Sequence, residues 1–136
     1  MHLSGKNALI TGSTSGIGLG IAKAMAAAGA NVMMNGFGDE DEIEENRTEI
    51  ERYYGVSAYY SPADLSSQKG CDVLVKDTLD KCGRLDILVN NAGIQHTDRI
   101  EDFPAEKWDK IIAIMLSAPF HLIGRAVPHM RENGWG

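Results

Sequence analysis

The chain has 136 residues, of which 43% are hydrophobic and 24% are charged, and its formal net charge is −6. These values are ordinary for one soluble globular domain. The chain lacks the basic footprint of nucleic-acid and anionic-membrane binders, so we expect neither as a partner. We also expect no signal peptide and no stretch long enough to span a membrane.

The two cysteines indicate a reduced, cytoplasmic setting. Cys71 and Cys82 lie in one predicted helix, which separates them by about 16 Å, too far for a disulfide bond. We interpret both as small hydrophobic side chains of the core.

Short apolar runs alternate with longer helical periods along the chain. The apolar runs predict strands at residues 7–11, 31–35, 57–60 and 86–90. The helical periods predict helices at 16–28, 39–54 and 68–82, then a helical region from 104 to about 132 that two internal prolines should bend or divide.

This order predicts an α/β fold with a Rossmann-type, doubly wound parallel sheet. We expect one dinucleotide-binding domain over residues 1–136. A fifth strand would normally follow the last helix, so we interpret the sheet as truncated after about four strands and the domain as incomplete at its C-terminus.

The spacing of apolar residues predicts which face of each helix is buried. The predicted core positions are, in chain order, Ile17, Ile21, Met25 and Ala28, then Ile43, Ile50 and Tyr54, then Cys71, Leu74, Val75, Leu79 and Cys82.

A glycine-rich turn joins the first strand to the first helix. Its glycines allow the backbone to approach a pyrophosphate closely, and the helix N-terminus then offers free N–H groups to it. Ser13 and Ser15 can add hydroxyl donors. The predicted cofactor residues of this turn are Gly12, Ser13, Thr14, Ser15, Gly16, Ile17 and Gly18.

The arrangement Thr-Gly-x-x-x-Gly-x-Gly at residues 11–18 resembles the short-chain dehydrogenase/reductase family. The sequence Asn-Asn-Ala-Gly at residues 90–93, after the fourth strand, resembles that family's second signature. The resemblance covers the whole chain, which corresponds to about the first half of a typical member. It implies a nicotinamide dinucleotide cofactor and, in the full-length form, a homo-oligomer.

We expect the cofactor to be NAD. Binding of NADP favours Arg or Lys near the 2′-phosphate, yet no basic residue lies between Lys23 and Arg47 or in the glycine turn. Gly36 departs from many NAD-dependent relatives, which carry a ribose-binding Asp there. Phe37 either flanks the adenine or is a partly exposed loop aromatic.

Two further groups of residues are expected beside the adenosine. The resemblance implies that Asp64 and Leu65 contact the adenine edge; a turn or N-cap Asp is the alternative. It also implies that Asn91, Ala92 and Gly93 shape the floor beside the adenosine ribose, with Asn91 tying adjacent strands as well.

Within the family, several strings are similar to those of the D-3-hydroxybutyrate dehydrogenases, above all Gly-Ile-Gln-His at residues 93–96. This similarity implies a small 3-hydroxy acid as substrate, oxidised to the keto acid, and assigns Gln95 to its carboxylate. An amide donor suits that role. We interpret His96 as structural or solvent-facing, and no cluster has metal-ligand spacing.

The family's proton chemistry depends on a Tyr-x-x-x-Lys pair and a Ser, and none of the four tyrosines here has Lys four residues later. Met115 stands at the family's catalytic Asn position, and a thioether cannot relay protons. We therefore assign no catalytic residue and expect the chain alone to be inactive.

Three hypotheses follow from these residues. The chain is a truncated NAD-dependent dehydrogenase of the 3-hydroxybutyrate type, a non-catalytic NAD-binding module, or an interaction module that docks a complementary chain through its strand edge and final helix.

Overall fold

The computed structural model describes all residues from 1 to 136. Its strands are β1 (Asn7–Ile10), β2 (Asn31–Asn35), β3 (Ala58–Ser61) and β4 (Ile87–Val89). Its helices are α1 (Gly16–Ala27), α2 (Glu40–Tyr54), α3 (Gln68–Cys82), α4 (Ala105–Ile112) and α5 (Ala118–Glu132), with a π-helical segment at Ala113–Ser117. The predicted alternation of strands and helices is confirmed.

The four strands form one parallel sheet in the order β3-β2-β1-β4. In its register, Leu9 of β1 lies between Met33 of β2 and Leu88 of β4. Each connection crosses over through a helix, and helices cover both faces of the sheet. The predicted doubly wound α/β fold is therefore confirmed, and the carboxyl ends of its strands share one edge.

Alternating side chains of the central strands divide the core into two layers. Ala8 and Ile10 of β1 face α1 and α2, whereas Leu9 faces α3 and α5; all three are fully buried. The two inner strands are buried on both faces, which explains why they read as nearly continuous apolar runs.

The predicted buried face of α1 is wrong. Ile17 is 79% exposed, and the buried positions of the helix are Gly18, Ala22 and Ala26. These small residues allow α1 to lie close to the sheet, while Ile21 and Met25 pack only partly against the same layer. The close packing of α1 on the sheet thus buries small residues, although the spacing of apolar residues predicted that Ile17 would be buried.

The predicted faces of α2 and α3 are confirmed. Ile43 and Ile50 are buried in α2, and Leu74 is fully buried in α3. Both cysteines are free and pack in the α3 layer. Burial raises the pKa of the Cys82 thiol to about 11, so this thiol stays protonated and behaves as a hydrophobic group.

The last helical region is divided, as expected, into two α-helices. A π-helical segment joins them directly, so the helix continues without a loop. The π-helical segment ends directly before α5, whose second residue is Pro119. Proline lacks the N–H group of a regular helix, and a π-turn absorbs such a local mismatch within a continuous helix. Pro128 lies inside α5 without ending it.

The helical stretch Ala105–Glu132 is long and apolar enough, by length and composition, to cross a membrane. The expectation that no stretch reaches that length is therefore wrong. A core helix can meet the same criterion, and here Ala118, Leu122 and Ala126 are buried in the layer that contains α3. Met115, Leu116 and Phe120 are exposed.

Truncation of Leu74 should show how much this layer stabilises the domain. Leu74 is fully buried whereas the adjacent Val73 is 41% exposed. We expect Leu74→Ala to lower the free energy of unfolding by about 2–5 kcal/mol through lost burial and a cavity. Val73→Ala, the matched control, should change it by less than about 1 kcal/mol. Urea titration followed by circular dichroism measures both, and equal losses would contradict the assigned helix face.

Candidate nucleotide-binding site

A cleft of about 370 Å³ opens at the carboxyl ends of β1, β2 and β4. In a doubly wound sheet this edge is where ligands bind, because strand order reverses there and leaves a crevice. The cleft residues are Gly12, Thr14, Ser15, Ile17, Gly18, Asn35, Gly36, Phe37, Ala63, Leu65, Asn91, Ala92, Gly93, Ile94 and Ile114.

The N-terminus of α1 meets this cleft with its backbone donors free of side-chain caps. Ser15 occupies the N-cap position in an extended conformation, and its side chain makes no capping hydrogen bond. The first turn also contains no acidic residue. By contrast, Asp39 and Ser67 cap the starts of α2 and α3. The start of α1 is therefore suited to an anionic group.

Close packing explains why glycine is needed in this turn. A β-carbon at Gly18 would lie 2.1 Å from the carbonyl oxygen of Gly12 and 2.5 Å from Nδ2 of Asn91. Gly12 has a φ of +60°, and its own β-carbon would lie 2.8 Å from Cα of Ala92. Any larger residue would push apart the loop, α1 and the end of β4.

Asn91 ties the glycine turn to the end of β4. Its Nδ2 donates to the carbonyl oxygens of Thr11 and Gly12, both at 3.0 Å. The hydroxyl oxygen of Thr11 in turn accepts the N–H groups of Asn91 and Ala92 at 3.0 and 2.9 Å. The predicted tie between adjacent strands is therefore present.

Asn35 closes the base of the cleft on the other side. It is 1% exposed, and its Nδ2 donates to the carbonyl oxygens of Ser61 and Ala63 at 3.1 and 3.0 Å. These bonds join the ends of β2 and β3. Phe37, two residues after Asn35, is 66% exposed and lines the opening of the cleft.

One of the predicted cofactor residues, Ser13, uses its side chain in hydrogen bonds within the protein. Ser13 is fully buried; its hydroxyl donates to the carbonyl oxygen of Ile10 at 2.7 Å and accepts the N–H of Asn35 at 3.0 Å. The Ser13 hydroxyl is therefore not available as a hydrogen-bond donor to a ligand, contrary to the prediction. Ser13 instead holds the turn against β2.

Asp64 lies outside the cleft lining, although its neighbours Ala63 and Leu65 belong to it. The carboxylate accepts the N–H of Ser66 at 2.9 Å, and this hydrogen bond lowers the pKa of Asp64. The alternative interpretation of Asp64, as a turn residue, thus agrees with the structure. Asp64 orients the segment that follows β3.

Gly16 and Gln95 also fall outside the cleft lining. Gly16 begins α1, where its φ of +56° allows the chain to enter the helix. The Gln95 side chain is exposed and makes no hydrogen bond, whereas His96 lies 3.4 Å from Asp98 and edge-on to Phe103. The structural interpretation of His96 agrees with these contacts.

Met115 lies beside the family's second signature. Its Cε is 3.4 Å from the position that a β-carbon on Gly93 would take, and its side chain is 52% exposed. The π-helical segment carries it there. A thioether at this place offers no proton donor and only a weak acceptor.

The sequence did not assign five of the cleft residues to the site, namely Asn35, Gly36, Ala63, Ile94 and Ile114. Asn35 is the last residue of β2, Gly36 follows it directly, and Ala63 lies two residues after the end of β3. The carboxyl-end rule for parallel sheets could have identified these three. Ile114 is brought in by tertiary packing of a distant helix, for which the sequence carries no local signal.

Comparison with known proteins agrees with this geometry. The family model described as short chain dehydrogenase matches residues 6–136. D-beta-hydroxybutyrate dehydrogenase from Cupriavidus necator (strain ATCC 17699 / DSM 428 / KCTC 22496 / NCIMB 10442 / H16 / Stanier 337) is 50% identical over 134 residues, which cover 98% of this chain and 51% of the relative. The protein of the same name from Rhizobium meliloti (strain 1021) is 48% identical over 131 residues, covering 96% and 51%.

Among solved structures, L-sorbose reductase from Gluconobacter frateurii, complexed with NADPH and L-sorbose, superposes with a TM-score of 0.91. It is 34% identical, and the match covers 98% of this chain and 51% of the reductase. The chain therefore spans about half the length of these relatives. The glycine turn at the start of α1, the Asn91 tie, the parallel sheet and the family match together show that the chain belongs to the short-chain dehydrogenase family.

Proposed function

We propose that this chain is the dinucleotide-binding part of an NAD-dependent dehydrogenase that oxidises a small 3-hydroxy acid, 3-hydroxybutyrate being the best candidate, to the keto acid. The observation that carries the proposal is the uncapped, acid-free start of α1 at the cleft. The dinucleotide, when bound, supplies the hydride acceptor of the reaction.

The residues of the cleft fit a dinucleotide. Gly12 and Gly18 leave the backbone accessible where any β-carbon would clash, and the start of α1 offers N–H groups to the pyrophosphate. Ser15 adds a hydroxyl that no capping bond occupies. Phe37 and Leu65 supply apolar surface for the adenine, and Asn91, Ala92 and Gly93 form the floor beside its ribose.

Charge pairing supports NAD over NADP. Lys23 is bound to Glu49 at 2.9 Å, and Arg47 is bound to Glu44 and Glu51 at 2.7 and 2.9 Å. The hydrogen bond to Glu44 raises the pKa of Arg47 further. The basic residues nearest in sequence on either side of residues 36–38 are thus already paired, so neither is free to bind a 2′-phosphate. The reductase from Gluconobacter frateurii holds NADPH, so the cofactor needs a direct test.

The substrate class is supported by the two relatives of about 50% identity, both named D-beta-hydroxybutyrate dehydrogenase. Gln95 is exposed at the outer end of the cleft segment and free to bind a carboxylate. We further propose a cytoplasmic enzyme and, for a full-length form, a homo-oligomer.

A second candidate function is a non-catalytic dinucleotide-binding or oligomer-interaction module. Met115 favours it, because this side chain lies next to Gly93 and has no group able to move a proton. The two candidates share the cleft and differ only in whether catalysis accompanies binding.

NAD should stabilise the chain thermally more than NADP does. At a hundredfold excess over its dissociation constant, a ligand of the folded state adds about 2.7 kcal/mol. Differential scanning fluorimetry with matched concentrations of each dinucleotide measures the two shifts. Equal shifts, or a larger shift with NADP, would refute the choice of cofactor.

Gly18→Ala should abolish the thermal shift caused by NAD. Its β-carbon would clash with Gly12 and Asn91, which disrupts the pyrophosphate turn. Gly20→Ala is the matched control, because a β-carbon at Gly20 meets no atom within 4 Å. Alanine should stabilise that helical position by up to about 1 kcal/mol and leave the shift intact. Retention of the shift in Gly18→Ala would place the ligand elsewhere.

The 136-residue chain alone should form no NADH from D-3-hydroxybutyrate, because it carries no Tyr-x-x-x-Lys pair. Absorbance at the NADH band, with NAD in excess, provides the measurement. Turnover that disappears in Gln95→Ala would show that this chain is itself catalytic and would overturn the expectation.

A further inference from the structure

Two hydroxyl groups hold consecutive carbonyls of the segment Gly36–Gly38, which links β2 to α2 and borders the cleft. The hydroxyl of Tyr60, on β3, donates to the carbonyl oxygen of Gly36 at 2.6 Å. The hydroxyl of Thr14, in the glycine turn, donates to the carbonyl oxygen of Phe37 at 2.7 Å. The segment is thus held from two different elements, one on each side.

Without these bonds the segment would have few restraints. Gly36 and Gly38 have φ values of +144° and +149°, a region that side-chain-bearing residues rarely adopt. Phe37 between them is mostly exposed. Two flanking glycines give the backbone many alternative conformations, so the hydroxyl bonds select one of them.

Tyr60 is well suited to this task. Its ring is partly buried against the layer that contains α1 and α2. Burial, with a further contribution from the charge of Glu40, raises the pKa of its hydroxyl. The hydroxyl therefore stays protonated at neutral pH and remains a hydrogen-bond donor.

The segment leads directly into the acidic start of α2, whose first turn contains Glu40, Asp41 and Glu42. Phe37, Glu40 and Tyr60 line a second surface depression next to the segment. The segment therefore lies at the border between the cleft, which Gly36 and Phe37 line, and the acidic start of α2. Carboxylates at this border repel the charge of a 2′-phosphate, whereas an unmodified ribose carries no charge for them to repel.

We propose that Tyr60 is a positioning residue that makes the site selective for NAD, by fixing the Gly36 carbonyl and with it Phe37 at the border between the cleft and the acidic start of α2. The proposal rests on the proposed function, since it assumes that the cleft binds a dinucleotide. It assigns to Tyr60 a role for which its sequence context gives no motif.

The test compares Tyr60→Phe with Tyr59→Phe in the full 136-residue chain. Phenylalanine keeps the ring and removes only the hydroxyl. Tyr59 is the matched control, because it is the preceding residue of β3, packs partly buried on the opposite face and makes no side-chain hydrogen bond. The affinities for NAD and NADP are measured by isothermal titration calorimetry, and the ¹⁵N order parameters of residues 36–38 by NMR.

In Tyr60→Phe we expect the dissociation constant for NAD to rise about 2- to 10-fold, the range of one lost hydrogen bond. The preference for NAD over NADP should fall by a similar factor, and the order parameters should drop from about 0.85 toward 0.6. Tyr59→Phe should change none of these. An unchanged preference in Tyr60→Phe, or the same change in both variants, would overturn the proposal.

The order parameters separate this proposal from the proposed function. If the unsubstituted chain binds neither dinucleotide, the proposed function fails and the selectivity claim fails with it. The order parameters of the free chain then still report whether Tyr60 fixes the segment.

Discussion

The site depends on one side chain, the amide of Asn91, which joins the end of β4 to the glycine turn. Its two bonds to Thr11 and Gly12 hold the turn against the end of β4, and Gly18 of α1 packs directly on both Gly12 and Asn91. One hydrogen bond contributes about 0.5–1.5 kcal/mol, but a carbonyl left unpaired in a buried site costs about 1–3 kcal/mol. Loss of Asn91 would therefore disturb β4, the turn and α1 together.

The chain is acidic overall, yet the local environment at the cleft favours an anion. Surface charges farther away than about 8 Å are largely screened at physiological ionic strength, so the net charge of −6 acts only weakly at the start of α1. A helix N-terminus contributes about 0.3–1 kcal/mol toward a nearby anion, and more where it is partly buried. The absence of acidic residues in the first turn of α1 leaves that contribution uncancelled, whereas α2 neutralises its own with Glu40, Asp41 and Glu42.

The fold and most of the cleft could be predicted because their determinants are local. Helix α3 has the predicted bounds, and ten of the predicted cofactor residues line the cleft. The failures share a different cause. Apolar spacing placed Ile17 in the core, but close packing of α1 on the sheet buries Gly18 instead. Ser13 was predicted as a ligand donor, but β2, 22 residues away in sequence, takes its hydroxyl. Both outcomes depend on how far apart the elements pack, which periodicity does not encode.

We propose that a dinucleotide binds along the start of α1 and across the hydrogen bonds of Asn91. The decisive measurement is a titration of the ¹⁵N-labelled chain with NAD, followed through its backbone amide signals. The largest changes should fall on residues 12–18, 36–37 and 91–93, whereas the outer face of α2, at the exposed Glu45 and Thr48, should stay unchanged. Changes confined to other surfaces, or none at concentrations that stabilise the chain, would contradict it.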